Sequence, residues 1–139
     1  MIKLAEIKLI QFNTVVEGQL WYDYCTENPE MVVLHISTGA FTVSTRALDC
    51  FSALIEARKA LEKSGIIPLV MGAHRRVYPS PMQLDMGDGR KAYLQEMGRR
   101  TRMSDCVDIF DPCNREDVAS VAEQEQYHTS WISSIRKEC

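Results

Sequence analysis

"TRALDCFSALIEARKALEKSG", residues 45–65, decides how the chain folds. Leu48, Phe51, Leu54, Ile55 and Leu61 recur at helical spacing and make one apolar stripe. Thr45 is placed to cap the start, and Gly65 supplies the stop, because glycine takes the left-handed conformation that closes a helix. The spacing predicts a helix with one face on a core. What flanks it has a different pattern. Upstream, "QLWYDYC" at 19–25, "MVVLHIS" at 31–37 and "AFTVST" at 40–45 are dense in β-branched and aromatic residues and predict strands. Thr38-Gly39 marks a hairpin turn between the last two. The first twelve residues alternate with a slip between Leu4 and Ile7, which predicts a strand with a bulge.

Downstream, "IIPLVMG" at 66–72 predicts a strand, and Pro68, which has no N–H to give a ladder, puts it at an edge. "KAYLQEM" at 91–97 and "CVDIF" at 106–110 predict two more. A last helix is expected from "DPCNRED", with Asn114 as cap and Glu116 and Asp117 facing its positive end. It runs to about Arg136, where Arg136 and Lys137 complement the negative end, with Val118, Val121, Trp131, Ile132 and Ile135 as core residues. The order strands, helix, strands, helix gives an α+β class. We expect a mixed or antiparallel sheet with two main helices, in a two-layer single domain spanning 1–139.

Length and composition agree with that. The 139 residues suffice for one real core, and 45% hydrophobic with 25% charged residues is a soluble globular balance. A net charge of -3 gives no global basic character, so no direct nucleic-acid binding is expected. The N-terminus is broken by Lys3, Glu6 and Lys8 and is no signal peptide, and no apolar run approaches a membrane span. Cysteines at 25, 50, 106, 113 and 139 are odd in number and widely spaced. They are expected to be small buried hydrophobes with free thiols, in a cytoplasmic protein without membrane contact.

Charge is unevenly placed along the chain. Arg75, Arg76, Arg90, Lys91, Arg99, Arg100 and Arg102 form a basic block, opposed by Asp85, Asp88 and Glu96. From 105 to 126 follow Asp105, Asp108, Asp111, Glu116, Asp117, Glu123 and Glu125, against Arg115 alone. The two blocks either neutralise each other or steer a charged partner.

Patterns for chemistry are weak. "YPSPMQLDMGDGRKAY", Tyr78–Tyr93, fails as a calcium loop, because taking Gly89 or Gly87 as the turn glycine puts Leu84 or Met82 at the first ligand position. "MGDGR" could cradle an anion with its backbone N–H groups, but it is no phosphate loop. His35 reads as a packed or edge histidine, His74 follows the Gly72-Ala73 turn beside two arginines, and His128 lies on the last helix. None falls in a nucleophile or metalloenzyme motif, and Asp108 with Asp111 reads as surface acids. No metal and no cofactor are expected, and the chain is not expected to be an enzyme.

"LVMGAHRRVYPSPMQLDMGDGRKAYLQEMG" followed by "SDCVDIFD", Leu69 to Asp111, resembles a pattern in small bacterial immunity proteins encoded beside polymorphic toxins of the Rhs or type VI kind. In that pattern a strand ending in glycine leads to a "YPS-x-M" segment, a Met-Gly turn, an "AY-x-L" strand and a "VDIF" strand. The chain departs from it at Pro81, where a glycine or small residue would fit more easily. The resemblance implies a toxin-neutralising protein that blocks a cognate protein toxin by direct contact. Tyr78, Met82 and Met86 then serve as apolar anchors, stiffened by Pro79 and Pro81, with Asp88 selecting register. Toxins that act on nucleic acid or nucleotides carry basic clefts, so the acidic last helix, with Glu116, Asp117, Glu123 and Glu125, is the favoured contact face. The alternatives are a small cytoplasmic enzyme acting on an anionic or phosphorylated metabolite through the basic block, and a structural subunit or adaptor.

Overall fold

A computed structural model describes residues 3–136. The chain opens with a hairpin, β1 (Lys3–Gln11) and β2 (Thr14–Tyr24), antiparallel in unbroken register from Lys3↔Tyr22 to Gln11↔Thr14. The expected bulge is absent from this ladder. Phe12 and Asn13 make the turn with φ of 50° and 66°, the left-handed pair that matches strand twist in a two-residue hairpin. This lets β2 begin at Thr14, ahead of the predicted 19. Gly18 within it is forced, since a Cβ there would lie 2.4 Å from the Ser37 carbonyl oxygen and 2.6 Å from Leu9 Cδ1.

β3 (Val32–Ser37) pairs with β2, and β4 (Thr42–Ala47) pairs with β3 across the Thr38-Gly39 turn. α1 (Cys50–Glu62) follows. Its cap is Asp49, whose carboxylate accepts from Ser52 N at 2.7 Å and Ser52 Oγ at 2.8 Å. Thr45, the expected cap, stays in β4 and donates its hydroxyl to Ala53 O. Leu48 consequently precedes the helix and is 68% exposed. Phe51, Leu54 and Leu61 are buried as the spacing required, and Ala53 and Ala57 lie on the same buried face. Gly65, at φ +71°, turns the chain into β5 (Ile66–Pro68), which pairs with the end of β1. The antiparallel sheet thus has order β4-β3-β2-β1-β5, and Pro68 sits on an edge strand, as its missing N–H requires.

The second half forms a small antiparallel sheet, β6 (Val77–Tyr78), β7 (Lys91–Leu94) and β8 (Cys106–Asp108), in that order. A turn leading directly into a strand was expected between β6 and β7, but a short helix, α2 (Pro81–Met86), stands there. Ser80 and Gln83 close its start reciprocally, and Pro81 occupies the first turn, where its missing N–H costs nothing. The departure at Pro81 is thereby explained. α3 (Val121–Arg136) ends the described chain. It starts later than Asn114 because bridges from Pro112 to Val70 and from Val118 to His74 tie down the preceding segment, and Asn114 O accepts Asp117 N in a turn between them that goes no further as a helix. Ser120 and Glu123 form its cap: Ser120 N donates to Glu123 Oε1 and Glu123 N to Ser120 Oγ. Glu116 and Asp117 therefore lie outside the helix.

Residues of both sheets and α1 share one core, in which Leu9, Leu20, Leu34, Ile36, Leu54 and Ile109 are fully buried. Trp131, Ile132 and Ile135, expected in that core, are only half-buried. Cys25 and Cys50 are buried, but Cys106 is exposed on the edge strand β8 and Cys113 is half-buried, so the expectation of buried cysteines fails for those two; Cys139 lies outside the described residues. Arg58 of α1 is fully buried and fans onto Gly72 O, Ala119 O and Gln124 Oε1. No helix among the described residues is long and apolar enough to cross a membrane.

Candidate functional site

Tyr78 ends β6 and is carried against α3. Its ring stacks on His128 at 3.7 Å between centroids and 9° between planes. His128 lies 6.0 Å from Trp131 at 19°, and Phe51 meets the other side of Tyr78 edge-on at 5.2 Å. The His128–Trp131 spacing is one helical turn of α3, so the rings on that face follow from sequence position. Backbone bonds hold the ladder in place. Trp131 Nε1 donates to Arg99 O at 3.0 Å, and Tyr127 Oη donates to Gln95 O at 3.1 Å. Gln95, 3% exposed, presents its side-chain oxygen to His128 Nδ1 at 3.1 Å, which places the imidazole proton on Nδ1. Burial pushes His128 below the usual histidine range, so the ring is neutral at pH 7.

These rings wall a cleft of about 340 Å³ between α2, β7 and α3. Pro79, Pro81, Leu84 and Ile132 complete its apolar lining, and Ser80, Gln95 and Thr101 supply the polar groups. Met82, 68% exposed, stands on α2 at the cleft's edge of the fold. The side chain of Met86, the third expected anchor, lies outside what is described.

Asp88 has a different task. It takes φ of 55°, its carbonyl accepts Cys50 N at 2.7 Å, and its carboxylate accepts the Tyr24 hydroxyl. That bond is the main reason the Tyr24 phenol is pushed up to about 12. Asp88 thus fastens the turn before β7 to the start of α1 and to β2, and only part of it is left to meet a partner.

The acidic residues do not share one helix face. Glu116, Asp117 and Glu123 surround a polar hollow of about 290 Å³ together with His74, Arg75 and Arg76. Glu123 is held below the usual carboxylate range by Ser120 N–H and hydroxyl. Glu125 is exposed on α3. The basic block is folded onto acids as well. Arg90 Nη2 meets Asp108 at 2.8 Å, and Arg99 meets Glu96 at 2.9 Å and Asp105 at 3.3 Å. Of the seven basic residues, Arg90, Lys91 and Arg99 are thus paired with acids.

Cys50 and Cys113 are poor nucleophiles. Burial pushes Cys50 up to about 12 and Cys113 up to about 11, far from thiolate at neutral pH. His35 stacks on Trp21 and bonds Ser44, and His74 accepts from Arg76 N through Nδ1. Among the described residues no three His, Cys, Asp or Glu side chains converge on a metal position. The structure therefore joins Tyr78 to α3, which the sequence reading treated as rival surfaces. Sequence reasoning missed Tyr93, Gln95 and Thr101, and it took Trp131 for a core residue. The available signal was the "YPSP" run, whose prolines and tyrosine form one wall. No family model matches the chain, and no curated protein matches it.

Proposed function

We propose that this is a toxin-neutralising binding protein that blocks a cognate bacterial effector by direct protein contact. The aromatic cleft carries the reading. Tyr78 stacks on His128 in its wall with Trp131 beside them, its lining is largely apolar, and exposed Met82 and Glu125 stand on the flanking helices. Buried aromatic anchors inside a polar surround are where protein contacts concentrate their binding energy. The resemblance over Leu69–Asp111 supports the same class, since that stretch supplies Tyr78, both prolines and α2. Internal pairing of Arg90, Lys91 and Arg99 leaves the rival enzyme reading, an anion site on the basic block, with less charge to use.

The test is co-expression with the product of the adjacent gene, followed by calorimetry and a toxicity assay. Thr101→Arg, which fills the cleft, and Trp131→Ala should each weaken binding by about 2 kcal/mol or more. Charge steering is tested with Glu125→Lys against Arg100→Glu, because Glu123 and Arg99 already hold the fold together. Cleft variants that keep their circular dichroism and still bind and neutralise like the wild type would overturn the proposal.

A further inference from the structure

The two edges of the large sheet are built differently. The β5 edge is three residues long, contains Pro68, and is followed by a segment bonded to 111–113 through Met71 N to Asp111 O and Cys113 N to Leu69 O. These are the devices that blunt a sheet edge against other chains. The β4 edge has none of them. It is six residues long, "TVSTRA", without proline, lysine or bulge, and Thr42, Ser44 and Arg46 are exposed along it.

Its hydrogen-bonding groups can be placed. Thr38 N bonds Phe41 O at 3.1 Å, which marks 38 and 41 as a hydrogen-bonded pair in the hairpin. Alternation then directs Val43, Thr45 and Ala47 toward β3 and turns the N–H and C=O of Thr42, Ser44 and Arg46 outward. No described residue outside the sheet bonds those outward groups.

We infer that the β4 edge is a self-association surface, where a second copy of this chain pairs antiparallel about a two-fold axis through Ser44. In this register Ser44 faces Ser44, and Thr42 faces Arg46 on both sides of the axis, so all three outward residues of each copy are used. The single charge of the strand meets a threonine, and the two arginines are held about 13 Å apart along the strand. Val43 falls opposite Thr45, a pairing of β-branched side chains that suits a sheet. Beyond the strand ends, Phe41, 39% exposed, comes beside Ala47 and Leu48 of the other copy, and Leu48 is itself 68% exposed. Two apolar side chains otherwise left in water gain neighbours. The occupant is a second copy because the two-fold register opposes no like charges and brings exposed Phe41 to exposed Leu48 at both ends of the strand pair.

Sedimentation equilibrium of the untagged full chain over a range of concentration tests this, with hydrogen exchange measured in parallel. Wild type should show a monomer–dimer equilibrium, and the amides of Thr42, Ser44 and Arg46 should become protected as concentration rises. Ser44→Lys and Ser44→Glu each place like charges face to face, and each should raise the dimer dissociation constant at least tenfold, with the melting curve unchanged at concentrations where the wild type is monomeric. Mixed in equal amounts, the two variants should associate again as a heterodimer. A wild type that stays monomeric with concentration-independent exchange at those amides overturns the inference, as it would if a strand of another protein occupied the edge. So does a dimer that Ser44→Lys leaves intact, or a mixture that associates no better than either variant.

Discussion

Gln124 and Arg58 form a tight polar contact in the interior, 2.6 Å from Arg58 Nη1 to Gln124 Oε1. Gln124 Nε2 lies within hydrogen-bond reach of three carbonyls, Gly72 O at 2.8 Å, Val77 O at 2.9 Å and His74 O at 3.0 Å. Burial pulls the Arg58 guanidinium down to about 10, against the pull of Glu62 and Glu125. Gln124→Leu should therefore cost about 3 kcal/mol in urea unfolding, since it strips a buried cation of an acceptor and the carbonyls of a donor. A loss under about 1 kcal/mol would show that water replaces the amide. Histidines give a second prediction. His74 and His128 are both held below the usual value by burial, so below about pH 6.5 the unfolded chain binds more protons and stability falls with pH. Unfolding midpoints measured at about pH 7.5 and about pH 5.5 should drop less for His128→Phe, which keeps a ring in the stack and removes one titrating group. Equal drops for variant and wild type would assign the acid sensitivity elsewhere.

Elements were legible where one periodicity ran uninterrupted, and were misread where competing turn signals stood close together. The stripe Phe51, Leu54, Leu61 located α1, yet its start was misplaced because Thr45 was taken as the cap, and Thr45 is claimed by pairing with Leu34 in the sheet while Asp49 caps the helix. Phe12-Asn13 gave no hairpin signal, since an aromatic residue at positive φ is uncommon. At α3 the sequence offered Asn114 and, six residues later, Ser120 with Glu123 at capping-box spacing. Long-range bridges at Pro112 and Val118, invisible in a local pattern, decide for the second. Ser120→Ala should accordingly destabilise by about 1 kcal/mol, while Asn114→Ala should leave the helix unchanged in thermal melts. The reverse ranking would restore the earlier start.

Across the whole molecule, α+β class and a mixed or antiparallel sheet under a helix followed from element order alone. The cleft did not, because its walls come from residues 78–84, 93–101 and 128–132, and only docking of α3 brings them together. The two charge blocks were plain in the sequence, but which acids and bases meet was not: Arg90 pairs with Asp108, Arg99 with Asp105, and Arg75 and Arg76 share a hollow with Glu116, Asp117 and Glu123. The helices also differ in what they hold. Leu54→Ala empties a fully buried position and should cost about 3 kcal/mol of stability, whereas half-exposed Trp131→Ala should cost less than half of that, its larger effect falling on the proposed partner contact. Equal losses in denaturant titrations would make Trp131 a core residue after all.

Arg58 becomes part of the chain long before its partners do. Ala119 and Gln124 follow it by 61 and 66 residues. During synthesis the first sheet and α1 can meet while this guanidinium still lacks most of its acceptors, and it cannot be desolvated cheaply until α3 emerges. Gln124 then works as a late latch, and a nascent chain halted before it should remain open to proteases, with α1 loosely seated. Pulse proteolysis of a fragment ending at Ala119, compared with the full chain, would time that latch.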